Sequence, residues 1–223
     1  MGGHDRGTHL PAEPTGPADG LTRDIVVVGA SAGGVRALEA LVASLPRSFA
    51  ASLFVVLHMS PFHKSMLPAV LGRRTLLPVV EPESGQVIER GYIYTAPSDR
   101  HLLIENNQIS LWHGPKEDRH RPAINALFRS AAVSFGQRVI GVVLTGLMDD
   151  GTAGSWWIKK YGGVIVVQSP CDAIHADMPK NVLKHVAVDC LVTVAEMGPV
   201  IEKLSTGAKP ASLCEELEQN IVE

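Results

Sequence analysis

Two kinds of apolar pattern alternate along the middle of the chain. One is the short unbroken run: "DIVVV" from Asp24, "SLFVVLHM" from Ser52, "RVIGVVLT" from Arg138 and "GVIVVQ" from Gly163. Runs this short, rich in β-branched residues and apolar at every position, predict strands covered on both faces. The other kind is spaced. Val35, Leu38, Leu41, Val42 and Leu45 recur at the intervals of one buried helix face, and Pro46 follows close to its end. "PAINALFRSAAVSF" predicts a helix with Pro122 in its first turn. Further helices are predicted through Trp156 and Trp157, from "MPKNVLKHV", and over Glu196 to Leu204, with "DCLVTV" as a last strand. Adjacent tryptophans cannot both face fully inward on a helix. "GYIYTAP" and "HLLIENNQISLW" look different, because Asn106-Asn107 between short apolar runs predicts an antiparallel hairpin.

Strands that alternate with helices imply an α/β fold: a doubly wound, mostly parallel sheet flanked by helices, a Rossmann-like three-layer sandwich with one hairpin added. With 223 residues, 45% of them hydrophobic, the chain buries one sizeable core rather than two. Residues 1–22 are rich in Gly, Pro and His and lack periodicity, which predicts a disordered leader. Residues 23–205 then form the single domain. Residues 206–223 form a tail, in which Ser212 and Glu215 have the spacing of a capping box for a short helix.

Charge and composition narrow the partners. A net charge of −3 and an aromatic content of 5% argue against a basic, aromatic-studded face for nucleic acid. Cys171, Cys190 and Cys214 show no metal-like spacing and fit reduced thiols in a cytoplasm, with Cys171 as a small apolar filler. No apolar run approaches the length of a membrane span, and the N-terminus lacks a signal-peptide core. The expectation is a cytoplasmic protein with no direct membrane insertion.

The candidate chemistry begins at Gly29-Ala30-Ser31-Ala32-Gly33-Gly34, a glycine-rich turn between a strand and a helix. A dinucleotide site is a weak reading, because Ser31 replaces the middle glycine and the next strand ends in His58 rather than an acid. A serine capping the helix is the plain structural reading. The third reading is a nucleophile, since Gly29-Ala30-Ser31-Ala32-Gly33 has the Gly-x-Ser-x-Gly form that exposes a serine oxygen on a tight turn. Its company favours chemistry. Ser31, His58 and the pair Asp149-Asp150 each follow a predicted strand, so one edge of a parallel sheet gathers a hydroxyl, an imidazole and a carboxylate. A serine hydroxyl needs a neighbouring imidazole to take its proton, and the imidazole needs a carboxylate on its other nitrogen. The residues themselves leave both acids open.

"GASAGG", "LHMSP", "GYIYTAPSDRHL", "RHRPAINALF", "GVVLTGLMDDGTAG" and "MPKNVL" stand in order from Asp24 to about Leu204, and in this the chain resembles the catalytic domain of CheB, the chemotaxis protein-glutamate methylesterase. The resemblance implies hydrolysis of glutamate methyl esters, and deamidation of glutamines, on the cytoplasmic region of methyl-accepting chemoreceptors, with no metal or organic cofactor. It implies Ser31 as nucleophile, His58 as general base, Asp150 as the triad acid, and backbone amides near Ala32 and Leu147 as the oxyanion hole. Lys116, Arg119 and Arg121, otherwise a solvated basic loop, would then face acidic receptor helices. His101, His113 and His120, with Asp118, match no metal motif and read as solvated loop residues. Family members join this domain to a receiver domain, for which the leader is too short; that puts control by phosphorylation within the chain in doubt and makes a separate receiver-domain protein a candidate partner. Ala32 replaces a usual threonine, and Met148-Asp149 a usual Gly-Asn. A serine esterase or amidase with another acyl substrate, and an inactive adaptor of the same fold, are the alternatives.

Overall fold

A computed structural model of the chain describes residues 21–210 and Leu213. The predicted leader, apart from Leu21 and Thr22, lies outside these residues, as do Cys214 and the Ser212–Glu215 capping box. In chain order the first half contains β1 (Ile25–Ala30), α1 (Gly34–Ser44), β2 (Ser52–Leu57), α2 (Leu67–Leu71), β3 (Val79–Val80), β4 (Ile93–Thr95), β5 (His101–Glu105) and β6 (Gln108–Trp112). The second half contains α3 (Ile124–Phe135), β7 (Val139–Val143), α4 (Thr152–Lys160), β8 (Val164–Gln168), α5 (Asp177–His185), β9 (Cys190–Val192) and α6 (Val194–Ser205).

Seven strands form one parallel sheet in the order β3-β4-β2-β1-β7-β8-β9, and β5 and β6 form the antiparallel hairpin. The chain winds outward from β1 through β2, then returns to the other side of β1 at β7. That reversal leaves a crevice beyond the carboxyl ends of β1, β2 and β7, the place where such sheets bind ligands. "GYIYTAP" joins this sheet as β4, parallel to β2, rather than the hairpin.

The central strands are mainly apolar and buried on both faces because they serve two cores. Val26, Val28 and Ala30 face α1 and α6, against Leu38, Leu41, Met197 and Ile201. Ile25 and Val27 face the opposite layer of α3, α4, α5 and the hairpin, against Leu127, Phe128, Ile158, Val182 and Ile104. Val35 shares the stripe of α1 but is 41% exposed. It lies in the first turn, beside the carboxyl end of β1, and lines the crevice instead. Trp156 is half exposed while Trp157 packs against the second core. α6 carries a capping box of its own, in which the Thr193 backbone N–H donates to Glu196 Oε2 at 2.8 Å. No described helix is long and apolar enough to cross a membrane.

Three sequence expectations need correction. Cys171 is exposed and fills no core, because it falls on the turn after β8; Cys190, on β9, is the buried thiol. His101 is fully buried, with Nε2 on the Pro115 carbonyl (2.9 Å) and Nδ1 accepting from the Ala123 N–H (3.2 Å). Both ring nitrogens are satisfied, which is what lets an imidazole sit in a core. Pro122 lies ahead of α3, not in it, since Ala123 is extended and the first helical amide is that of Ile124.

The amino-terminal edge of the sheet is clamped by one acid. Asp24, just before β1, accepts from Arg138 Nε (2.8 Å) and Nη2 (2.9 Å) and from Arg90 Nη2 (2.8 Å). Burial would raise this carboxyl, but the hydrogen bonds and charges of Arg138 and Arg90 outweigh it and hold it below the usual range.

Candidate active site

The turn after β1 is tight for identifiable reasons. Gly33 caps α1 with φ +76, a left-handed conformation that side chains resist, and no side chain caps the helix. Ser31 is therefore not the cap. Its backbone N–H donates to the Thr145 carbonyl (3.0 Å) just beyond β7, and the Gly34 N–H donates to the Ser31 carbonyl (2.9 Å). The hydroxyl is left to face His58.

His58 follows β2 directly, and its own backbone N–H donates to the Ala30 carbonyl (3.1 Å), which aligns the two strand ends. Its Nδ1 lies 3.1 Å from Ser31 Oγ, and its Nε2 lies 2.7 Å from Asp150 Oδ2. An ionised carboxylate only accepts, so the proton sits on Nε2 and leaves Nδ1 as the acceptor for the serine hydroxyl. Of the two adjacent acids, Asp150 is turned inward at 2% exposure, while Asp149 is exposed.

A buried carboxylate is costly unless paired. Asp150 Oδ2 also accepts from the Ile124 N–H (2.7 Å), and Oδ1 accepts from the Asn125 N–H (2.8 Å). These are free amides of the first turn of α3, whose positive dipole end adds to the stabilisation. Asn125 extends the network. Its Oδ1 accepts from the N–H groups of Gly151 (3.0 Å) and Gly154 (2.6 Å), and its Nδ2 donates to Asp118 Oδ2 (2.6 Å). Burial pushes the Asp118 carboxyl above its usual range, and the charges of Asp150 and Asp149 act in the same direction. The His120 ring lies flat on that of His58, with centroids 3.5 Å apart and planes 6° from parallel.

The profile of the CheB methylesterase family matches residues 26–201. The chain belongs to that family. It is 35% identical over 190 residues to a protein-glutamate methylesterase/protein-glutamine glutaminase of Methanosarcina mazei, covering 82% of this chain and 52% of that one. The chain thus spans about half the length of several curated relatives it matches. A putative protein-glutamate methylesterase/protein-glutamine glutaminase of Leptospira interrogans is 31% identical, with 82% of this chain and 96% of that one aligned. The crystal structure of the Thermotoga maritima CheB methylesterase catalytic domain superposes with a TM-score of 0.78 at 31% identity, covering 82% of this chain and all of that one.

The other expected residues differ in what they contact. Among the described residues, neither the Ala32 nor the Leu147 backbone N–H has a hydrogen-bond acceptor. Two such free donors are what an oxyanion hole requires. Lys116 and Arg119 are exposed. Arg121 is committed elsewhere, with Nε and Nη2 on Asp99 Oδ1 at 2.9 and 2.6 Å. The crevice is lined by Ser31, Gly33, Val35, Leu57, His58 and Ile174, and it continues into an apolar groove past Met59 and Met66. Among the described residues, no group of three or more His, Cys, Asp and Glu is placed to hold a metal. On sequence alone, His120 and Asp118 read as solvated loop residues and no role is singled out for Asn125; the stack on His58 and the Asn125–Asp118 hydrogen bond correct that. Two of these three residues stand in "RHRPAINALF", the motif quoted for the family, but nothing in the residue order shows that this loop folds over His58.

Proposed function

We propose that this protein hydrolyses glutamate methyl esters, and the side-chain amides of glutamine, on the cytoplasmic region of chemoreceptors. What supports the reading is the Ser31–His58–Asp150 relay at three adjacent strand ends, joined to the names of the relatives. Ser31 Oγ attacks the ester carbonyl while His58 Nδ1 takes the hydroxyl proton. Asp150 stabilises the imidazolium through Nε2. The tetrahedral oxyanion is held by the N–H groups of Ala32 and Leu147, neither of which has an acceptor among the described residues. The imidazolium returns its proton to the methoxy oxygen, methanol leaves, and an acyl-enzyme remains. Water, deprotonated by the same imidazole, attacks that acyl group; the serine oxygen is reprotonated and glutamate is released. With a glutamine substrate, ammonia departs in place of methanol. The scheme draws only on side chains, backbone amides and water.

Lys116 and Arg119 present positive charge to the acidic surface of such a receptor, whereas the charge of Arg121 is spent on Asp99. A separate receiver-domain protein is a further partner consistent with the family.

Methanol release from methylated receptor tests the reading. Ser31→Ala keeps the fold, because the small residue suits the turn, and turnover drops by about 10⁴-fold or more. Unchanged methanol release in that variant overturns the nucleophile. Hydrolysis of small esters with none of methylated receptor overturns the substrate instead.

A further inference from the structure

We infer that His120 is a positioning residue for His58: its stacked imidazole holds the base in the one ring orientation that serves Ser31 and Asp150 together. The inference rests on the hydrolase reading above.

Two hydrogen bonds, one at each ring nitrogen, fix the His58 imidazole along the line between Nδ1 and Nε2. They leave a soft motion, the tilt of the ring about that line. Tilting swings the Nδ1 lone pair and the Nε2–H bond out of the plane that holds Ser31 Oγ and Asp150 Oδ2. A second flat ring, 3.5 Å away and within 6° of parallel, blocks that motion from one side.

The loop that carries His120 is built at some cost to put it there. Glu117 and His120 close a two-residue turn, with the Glu117 N–H on the His120 carbonyl (3.1 Å) and the His120 N–H on the Glu117 carbonyl (2.8 Å). The central residues, Asp118 (φ 48) and Arg119 (φ 68), are both left-handed without being glycine. Such residues cost about 1–2 kcal/mol each and persist only where the surroundings impose them. The surroundings do so here. Glu117 is gripped by both terminal guanidinium nitrogens of Arg129 on α3 (2.7 and 3.1 Å), Asp118 by Asn125 (2.6 Å), and Arg121 by Asp99 (2.6 Å). Every flank of the strained turn is therefore tied to α3, whose first amides also bind Asp150, or to the loop before the hairpin.

The stack also suits the chemistry electrostatically. Burial, with repulsion from His58 and Lys116, holds His120 below the usual histidine range. When His58 accepts the serine proton, it faces a neutral aromatic surface, and an imidazolium against such a face is attracted rather than repelled.

The test compares kcat and KM for methanol release from methylated receptor in His120→Ala, His120→Phe and Ser31→Ala. Loss of the ring in His120→Ala lowers kcat by about 10- to 100-fold, the range set by a misoriented catalytic group. KM stays within about twofold, since the ring acts through His58. Phenylalanine keeps a flat ring, so His120→Phe recovers most of the lost kcat. If His120→Ala fails to fold, His120→Gln, which has no ring, carries the same expectation. A ring-free variant with wild-type kcat overturns the inference, and so does a folded His120→Phe as slow as the ring-free one. Wild-type turnover in Ser31→Ala is a different outcome, because it removes the hydrolase reading itself.

Discussion

Asp149 and Asp150 are the same residue side by side, and their surroundings give them opposite lives. Asp150 is buried and receives hydrogen bonds from His58, Ile124 and Asn125, whereas Asp149 faces solvent. In Asp150→Asn an amide replaces a pure acceptor among three donors, so its NH₂ must oppose either His58 or an α3 amide. The ring then favours a proton on Nδ1, the nitrogen that has to accept from Ser31. The same exchange in serine proteases costs roughly 10⁴ in turnover, or about 5 kcal/mol of barrier. Asp150→Asn therefore lowers kcat on methylated receptor by about that factor, while Asp149→Asn changes it less than about threefold. The reverse ranking means that the loop presents the other acid to His58. The hydroxyl and the imidazole were legible in the sequence, because each directly follows an obvious strand. The acid was not resolved by its residues, since the amides that hold Asp150 come from Ile124 and Asn125, far back along the chain. His120 reads as a solvated loop residue for the same reason: a stack between two loops leaves no mark in local spacing.

Among the elements, the strands buried on both faces and the helices with a clear apolar stripe were legible, because burial forces those patterns. The places where the reading slipped are short or set by distant contacts. β4 has only three residues, too few to show a period, and its partner β2 lies far away in sequence. α3 starts at Ile124 rather than at Pro122, where its free amides meet Asp150. That meeting depends on a close approach between elements. A β-carbon added at Gly29 on β1 would lie 2.4 Å from Ile124 Cγ2, closer than non-bonded carbons permit. The start of α3 thus rests on bare backbone, and its position sets that of Asp150. Gly29→Ala pushes Ile124 outward, costs about 1–3 kcal/mol as overpacking does, and lowers turnover by disturbing Asp150. All three nearest atoms belong to the Ile124 side chain, so adding Ile124→Ala makes room and restores part of the turnover. Stability and methanol release of the single and double variants check this. Turnover in the double variant no better than in Gly29→Ala rules out the steric coupling.

At the scale of the whole molecule, the sheet separates what holds the fold from the residues proposed to perform chemistry. Ser31, His58 and Asp150 lie beyond the carboxyl ends of the strands, while Asp24 stands at the amino end of β1, bound to Arg138 before β7 and Arg90 before β4. Three strand starts are therefore gathered on one carboxylate whose side chain is 12% exposed. The pH dependence of its contribution follows from the lowered carboxyl. Above the unfolded value of about 3.9 the aspartate is ionised in both states, and the clamp contributes in full. As pH falls below that value the unfolded chain takes up a proton that the native carboxyl resists, so the contribution shrinks and is lost once pH passes the folded pKa. Asp24→Asn keeps the shape but gives up the charge. It lowers unfolding stability at neutral pH by about 1–3 kcal/mol, the scale of hydrogen bonds to charged groups. The gap between wild type and variant, measured by urea unfolding, stays constant from pH 7 to about 5 and closes as pH falls below about 4. Methanol release per folded molecule at neutral pH is unchanged, because the clamp and the crevice occupy opposite edges of the sheet. A gap that widens on acidification contradicts the lowered carboxyl, and a loss of turnover in the folded variant contradicts the separation of the two edges.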